Sequence, residues 1–78
     1  METIPATYGF PMPKEGYLKG VKALCETYDA FYIADEVQTG LMRTGAMWAI
    51  TKYGVTPDIL VSAKGIGGGL YSLGCVLV

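Results

Sequence analysis

Several residue patterns that define common functional sites are missing from this sequence. It contains no histidine, and its two cysteines, Cys25 and Cys75, lie far apart without a C-x-x-C pair. Because zinc sites combine closely spaced cysteines and histidines, no metal site is predicted, and a disulfide between such distant thiols has little support. The simpler interpretation is a chain with reduced thiols in the cytoplasm.

An excess of charge of one sign and long apolar runs are missing as well. Six basic and seven acidic residues are spread along the chain and give a net charge of -1. Nucleic acids and anionic membranes attract basic patches, so neither is predicted as a partner. The first residues lack the basic and apolar regions of a signal peptide, and no apolar run approaches the roughly 18 residues of a membrane helix.

Glycine is abundant, with 11 residues, but the glycines do not form a nucleotide-binding motif. In the stretch KGIGGG, Lys64 precedes the glycines, whereas in the phosphate-binding loop of nucleotide hydrolases the lysine follows them. The stretch does not match G-x-G-x-x-G either. Neither common nucleotide motif is therefore present.

Apolar residues make up 51% of the sequence and charged residues 17%. A chain of 78 residues forms at most one small domain, which buries a smaller fraction of its surface than an average domain does. This composition is more typical of the interior of a larger protein than of an independent small domain. We therefore expect the chain to be part of a larger protein.

The first 13 residues are predicted to be irregular, because Pro5, Gly9, Pro11 and Pro13 interrupt helices and strands alike. Residues 14–78 are predicted to form an α/β segment. At its start, apolar residues recur at helical spacing between residues 15 and 28, and polar residues occupy the opposite face, which predicts an amphipathic helix.

Three short apolar runs are predicted to be strands: residues 30–34, 59–62 and 73–78. Between the first two we expect a loop over residues 40–45 and a short helix over residues 46–53 that ends at Gly54. The stretch KGIGGG is too rich in glycine for a regular element. Strands that alternate with helices and are apolar on both faces indicate an α/β fold around a largely parallel sheet.

Charged residues follow the first two predicted strands, where open α/β sheets usually have their binding sites. Asp35 comes after the first strand, with Glu36 beside it, and Lys64 comes after the second. Singly, each has an ordinary interpretation, Asp35 as an acid that closes a strand end and Lys64 as a solvated loop charge. Together they suit pyridoxal phosphate, a cofactor that binds a lysine amine and requires an anion at its ring nitrogen.

Three stretches in this order resemble the class III pyridoxal-phosphate-dependent aminotransferases: GYLKGVKALCETYDAFYIADEVQTG, the loop RTG, and YGVTPDILVSAKGIGGGLYSLGCVLV. The resemblance covers nearly the whole chain. It implies a fold type I subunit of several hundred residues that forms a homodimer. This chain would be the middle of its large cofactor-binding domain.

The resemblance also implies roles for individual residues. Lys64 would form the Schiff base with the cofactor, and Asp35 would pair with the pyridine nitrogen. Val37 would pack on the ring, and Gln38 would hydrogen-bond near the ring hydroxyl. As the expected catalytic residues, Asp35 keeps the ring nitrogen protonated and Lys64 moves a proton at the reacting carbon. The glycines of residues 65–69 would leave room for the cofactor.

The chain departs from the family pattern at two places. Members commonly have a Glu-Pro-Ile stretch with a second glutamate five residues after the first; Glu2 matches the first, and Thr7 replaces the second. In relatives the second acid helps to handle two differently charged substrates, so its loss puts the usual glutamate-accepting partner reaction in doubt. Met42 occupies a position where a small residue is usual, whereas Arg43 matches.

The function implied is transfer of an amino group, often a terminal one, from an amino acid or amine to a 2-oxo acid. The phosphate-binding turn, a residue of the partner subunit and the small domain that recognises the substrate carboxylate are not among these residues. The identity of the donor is therefore not readable, and we expect the isolated chain to be inactive. An aminomutase or decarboxylase of the same fold stays open, as does a truncated, non-catalytic chain.

Overall fold

A computed structural model describes all of residues 1–78. The elements are, in chain order, α1 (Tyr17–Thr27), β1 (Ile33–Asp35), a first 3-10 helix (Ala49–Tyr53), β2 (Ile59–Ser62), a second 3-10 helix (Lys64–Gly67) and β3 (Cys75–Leu77). This alternation of helical and extended elements confirms the predicted α/β class. The longest helix, α1, has 11 residues, and no helix is long and apolar enough to cross a membrane.

The three strands form one sheet in the order β1, β2, β3. β1 and β2 run parallel, as predicted, with Ile33 opposite Ile59 and Asp35 opposite Val61. β3 runs antiparallel to β2, so the sheet of these residues is mixed. The connection explains the direction, because residues 63–74 contain turns but no α-helix of the kind that usually carries a chain into a parallel neighbour.

The position of β1 differs from the prediction of residues 30–34. Ahead of β1, the backbone N–H of Tyr32 donates to Oδ2 of Asp58 at 2.7 Å instead of to a neighbouring strand. At the other end, the N–H of Asp35 donates to the carbonyl of Met1 at 2.9 Å. The strand therefore begins later than predicted, because the N–H of Tyr32 bonds a side chain. It also ends later, because Asp35 forms a bridge with Glu2 of the N-terminal segment.

Two segments form 3-10 turns where the sequence predicted something else. The glycine-rich stretch, predicted to be irregular, contains the helix Lys64–Gly67, and the helix predicted over residues 46–53 is confined to Ala49–Tyr53. Single turns of this kind need only i to i+3 hydrogen bonds, which short, glycine-punctuated segments can make. Gly54 ends the first of them in the left-handed region, with φ 66°, as predicted.

The core lies where α1 and the first 3-10 helix cover one face of the sheet. Its buried members are Leu18, Tyr32, Ala34, Ile50, Val55 and Leu60. Ala34 of β1 and Leu60 of β2 face the same side, because they are opposite each other in the parallel ladder. With 12 of 78 residues buried, this core is small.

An ion pair joins α1 to the segment that precedes β2. Nζ of Lys22 lies 2.7 Å from both carboxylate oxygens of Asp58. The hydrogen bond from Lys22, and after it the bond from the N–H of Tyr32, hold the pKa of the Asp58 carboxyl below its usual value. The same bond raises the pKa of the Lys22 ammonium. Both charges are therefore engaged within the fold.

Large apolar side chains are left exposed on the free edge and faces of this sheet. In β3, Val76 is 62% exposed and Leu77 is 47% exposed. Because an unpaired apolar strand edge pairs readily with another chain, we expect the isolated 78 residues to associate and to unfold without a cooperative transition. Sedimentation velocity and thermal unfolding measure both properties.

A matched pair of substitutions tests the origin of this association. Val76→Lys places a charge on the edge strand and should reduce association, whereas Tyr8→Lys changes a side chain that is 80% exposed outside the sheet and should not. A cooperatively unfolding monomer of the unaltered chain would contradict the prediction.

Candidate cofactor site

The carboxyl ends of β1 and β2 meet at one edge of the sheet. Asp35 is the last residue of β1 and stands opposite Val61 of β2. The N–H of Glu36 still donates to the carbonyl of Val61 at 2.9 Å. Lys64 follows β2 after a single intervening residue, Ala63. Asp35 at the end of β1 and Lys64 just beyond β2 therefore lie at the same edge of the sheet, where neighbouring strands are about 4.8 Å apart.

Lys64 has an unusual backbone and a free side chain. Its φ of 51° lies in the left-handed region, which costs a residue with a Cβ roughly 1–2 kcal/mol. The residue is exposed, and its ammonium makes no hydrogen bond or ion pair with the chain. It lines a cleft of about 600 Å³ together with Ala63 and residues 69–74. Strained residues of this kind often occur at functional sites.

Asp35 is half-buried, and only one of its carboxylate oxygens is engaged by the chain. Oδ1 accepts a hydrogen bond from the N–H of Val37 at 3.1 Å, in a turn formed by the side chain. Oδ2 accepts no hydrogen bond, and the carboxylate has no ion-pair partner. The side chain is thus oriented while one oxygen stays available to a ligand.

Val37 and Gln38, the other predicted cofactor-binding residues, lie in the turn that follows Asp35. Val37 is half-buried, whereas Gln38 is exposed and its amide makes no hydrogen bond with the chain. Their contacts with a cofactor stay a prediction.

No role was predicted for Glu36 from the sequence. Its side chain is fully buried and accepts four hydrogen bonds, whereas Asp35 beside it is half-buried and accepts one. The alternation of a strand contained the signal, because Glu36 falls on the same face as buried Ala34. The two adjacent carboxylates therefore face opposite sides of the sheet.

Two of the glycines after Lys64 adopt backbone conformations that favour glycine. Gly68 and Gly69 have φ values of 62° and 81°, which side chains with a Cβ rarely adopt. Gly65 lies beside Leu41, whose Cδ1 would be 3.4 Å from an added Cβ. The sequence predicted that these glycines leave space for a cofactor. The structure adds a second reason, because Gly68 and Gly69 adopt positive φ values that favour glycine.

These residues fit pyridoxal phosphate. The cofactor needs one free amine and one carboxylate that can face its ring nitrogen; the Lys64 ammonium is free, and Asp35 keeps Oδ2 unengaged while Oδ1 accepts from Val37. The other acidic groups of the central fold, Glu36 and Asp58, are engaged by donors of the chain itself. No group of three or more His, Cys, Asp or Glu side chains is arranged as a metal site.

Comparison with known proteins places this arrangement in a family. The chain is 47% identical over 77 residues to the mitochondrial ornithine aminotransferase of Drosophila melanogaster, a match that covers 99% of this chain and 18% of that protein. It is 48% identical over 77 residues to the putrescine aminotransferase of Pectobacterium atrosepticum, covering 99% of this chain and 16% of that protein.

A solved structure agrees with these relatives. The ornithine aminotransferase PY00104 from Plasmodium yoelii superposes on this chain with a TM-score of 0.96 at 40% identity, covering 100% of this chain and 21% of that one. The chain thus spans 16% to 21% of the length of the three proteins. Residues 1–78 also match the family description Aminotransferase class-III. The chain therefore belongs to the class-III aminotransferases.

Proposed function

We propose that this chain is the catalytic segment of a pyridoxal-phosphate-dependent aminotransferase, which moves an amino group from an amine or amino acid to a 2-oxo acid. The observation that carries the proposal is the pair of Asp35, at the end of β1 with Oδ2 unengaged, and Lys64, just after the adjacent parallel strand β2 with a free ammonium. Relatives named for ornithine and putrescine support donors with a terminal amine. A homodimeric and cytoplasmic enzyme is part of the same proposal.

When bound, pyridoxal phosphate supplies an aldehyde that reacts with amines and a ring that withdraws electrons from the substrate carbon. Lys64 holds the cofactor through Nζ, and its exposed side chain leaves that amine accessible. Once free of the cofactor, Nζ would hold and move a proton at the substrate carbon. Lys64 therefore serves as anchor and as acid-base group.

Asp35 keeps a proton on the ring nitrogen. Its Oδ1 is held by the N–H of Val37, and Oδ2, which is unengaged, would accept a hydrogen bond from the ring nitrogen. Val37, half-buried beside it, would supply an apolar contact for the ring, and the free amide of Gln38 would hydrogen-bond the ring hydroxyl. Under this proposal, one anionic and two uncharged cofactor contacts would come from residues 35–38.

A hybrid enzyme tests the proposal on a full-length subunit. In it, this chain replaces the matched 77 residues of the putrescine aminotransferase of Pectobacterium atrosepticum. We expect the hybrid to retain transfer from putrescine to a 2-oxo acid. Borohydride reduction followed by peptide mass spectrometry should place the pyridoxyl label on Lys64. A folded hybrid that carries no label on Lys64 would contradict the proposal.

The loop after β1 offers a prediction about backbone strain. Met42 has φ 67° and is 57% exposed. Its left-handed conformation is therefore strained, and burial of the side chain does little to offset that strain. Relieving roughly 1–2 kcal/mol of strain outweighs the roughly 0.5–1 kcal/mol of extra chain entropy that glycine brings. We expect Met42→Gly to raise the thermal midpoint of the hybrid by about 1–3 °C.

Met47 is the matched control for this substitution. It lies in the same loop and is 52% exposed, but its φ is not positive. Met47→Gly should therefore lower the midpoint of the hybrid in the same thermal scan. If both substitutions shift the midpoint alike, strain at Met42 is not the cause.

Gly40 gives a second prediction in this loop. A Cβ at Gly40 would lie 2.6 Å from the Trp48 ring and 2.7 Å from the carbonyl oxygen of Glu36. Because the second contact is with backbone, Gly40→Ala forces the turn itself to move, at a cost of about 1–3 kcal/mol. Thermal unfolding of the hybrid should show a lower midpoint.

The same substitution in α1 should have the opposite effect. Gly20 has open space around an added Cβ and no positive φ. Gly20→Ala should therefore stabilise the hybrid by about 0.5–1 kcal/mol, since alanine is the better helix former. A stabilising Gly40→Ala would show that the Trp48 ring and the turn adapt without cost.

A further inference from the structure

Glu36 carries a fully buried carboxylate whose four hydrogen-bond donors come from three parts of the chain. Thr3 Oγ1 donates to Oε1 at 2.6 Å, and Thr39 Oγ1 donates to Oε2 at 2.8 Å. The N–H groups of Ala49 and Ile50 donate to Oε2 at 2.9 Å and to Oε1 at 2.8 Å. The carboxylate therefore joins the N-terminal segment, the turn after β1 and the first 3-10 helix.

No basic residue balances this charge, because the only ion pairs of the chain involve Lys22. Burying a carboxylate is unfavourable unless donors satisfy it, and an apolar side chain in its place would leave these four donors without an acceptor. The four donors satisfy both oxygens completely. What the carboxylate adds over an apolar residue is therefore a defined geometry among the three segments.

That geometry acts on the residues of the candidate cofactor site. Glu36 lies between Asp35 and Val37 in the chain, its N–H donates to Val61 of β2, and its carbonyl accepts from the N–H of Gly40 at 2.8 Å. β2 leads directly to Lys64. Glu36 is thus bonded on one side to the strand that leads to the lysine and on the other to the turn that holds the ring contacts.

We propose that Glu36 is a positioning residue for pyridoxal phosphate, which fixes Asp35 and the turn of residues 36–40 relative to Lys64. It does not touch the cofactor, since its side chain faces the core side of the sheet. A displacement of about 1 Å at a reacting group can cost about 100-fold in rate. This inference rests on the proposed function, because it concerns binding of the same cofactor at the same strand ends.

Glu36→Gln in the hybrid is the test, because it keeps the size of the side chain and replaces one acceptor oxygen by a donor. A threonine hydroxyl can rotate to accept from the new amide, but a backbone N–H cannot, so Ala49 or Ile50 loses its acceptor. We expect the dissociation constant of pyridoxal phosphate for the cofactor-free hybrid to rise by about tenfold or more. We expect kcat to fall with KM for putrescine unchanged.

Val55→Ala provides the comparison for a purely structural role. Val55 is a buried core residue, 5% exposed, and it forms no hydrogen bond with Glu36. Its truncation should lower the thermal midpoint while leaving the dissociation constant of pyridoxal phosphate unchanged. The yield of borohydride-trapped label on Lys64 gives a second readout that does not depend on turnover.

The outcomes separate the two proposals. If Glu36→Gln and Val55→Ala change cofactor affinity alike, Glu36 acts through stability alone and the inference is overturned. If Glu36→Gln does not fold, Thr39→Val removes a single bond to Oε2, and the same loss of affinity without an equal loss of stability is expected. If the unaltered hybrid takes no label on Lys64, the proposed function fails and this inference fails with it.

Discussion

Lys64→Ala is expected to abolish covalent attachment of pyridoxal phosphate and to lower turnover of the hybrid by about 1,000-fold or more, because the anchor and the acid-base group are lost together. Nζ of Lys64 is free of partners within the chain, so its removal breaks no hydrogen bond or ion pair of the fold. The thermal midpoint of the cofactor-free hybrid should therefore not fall. Borohydride trapping and single-turnover absorbance measure the two effects separately.

Lys14→Ala is the control, since Lys14 is an exposed lysine of the segment before α1. It should leave both the label and the turnover as they are in the unaltered hybrid. Retention of the pyridoxyl label after reduction and dialysis of Lys64→Ala would mean that another lysine is the anchor.

Asp35→Asn is expected to lower kcat by about 100-fold to 1,000-fold while the label on Lys64 still forms. The amide can still accept the N–H of Val37 through its oxygen, so the orientation of the side chain is kept and the negative charge alone is lost. Without that charge the ring nitrogen gives up its proton more readily, and the ring withdraws fewer electrons from the substrate carbon. Asp35→Ala, which also loses the turn, should be less active still.

Asp29→Asn serves as the matched control for the loss of one negative charge. Asp29 is exposed and has φ 52°, a conformation that asparagine tolerates as well as aspartate does. It should change neither kcat nor cofactor binding. Near-normal turnover of Asp35→Ala would contradict the assigned role of this carboxylate.

The sequence locates Asp35 and Glu36 but does not predict the different environments of their two carboxylates. Both are acids at the end of one apolar run, and sequence position marked the pair as noteworthy. Strand alternation separates them into one residue for each face, but which face is covered depends on where α1 and the first 3-10 helix pack. Only the fold therefore showed that Asp35 keeps a free oxygen and that Glu36 does not.

Local pattern by itself determined β2 at Ile59–Ser62, the end of the first 3-10 helix at Gly54, and the placement of Asp35 at the end of β1 and of Lys64 just after β2. These features depend on residues within a few positions of one another, such as an apolar run closed by a polar residue. The motifs also carried the resemblance to the family, which the comparisons confirm.

The tertiary structure decided the antiparallel direction of β3, the start of β1, and the network around Glu36. The start of β1 and the network around Glu36 depend on groups distant in sequence, as when Asp58 accepts from Tyr32 across 26 positions and Glu36 accepts from Thr3 across 33. Such bonds form only after packing brings the segments together, and apolar periodicity carries no information about which donor will arrive. The left-handed backbone of Met42 is of the same kind, because the surrounding fold imposes a conformation that methionine does not prefer.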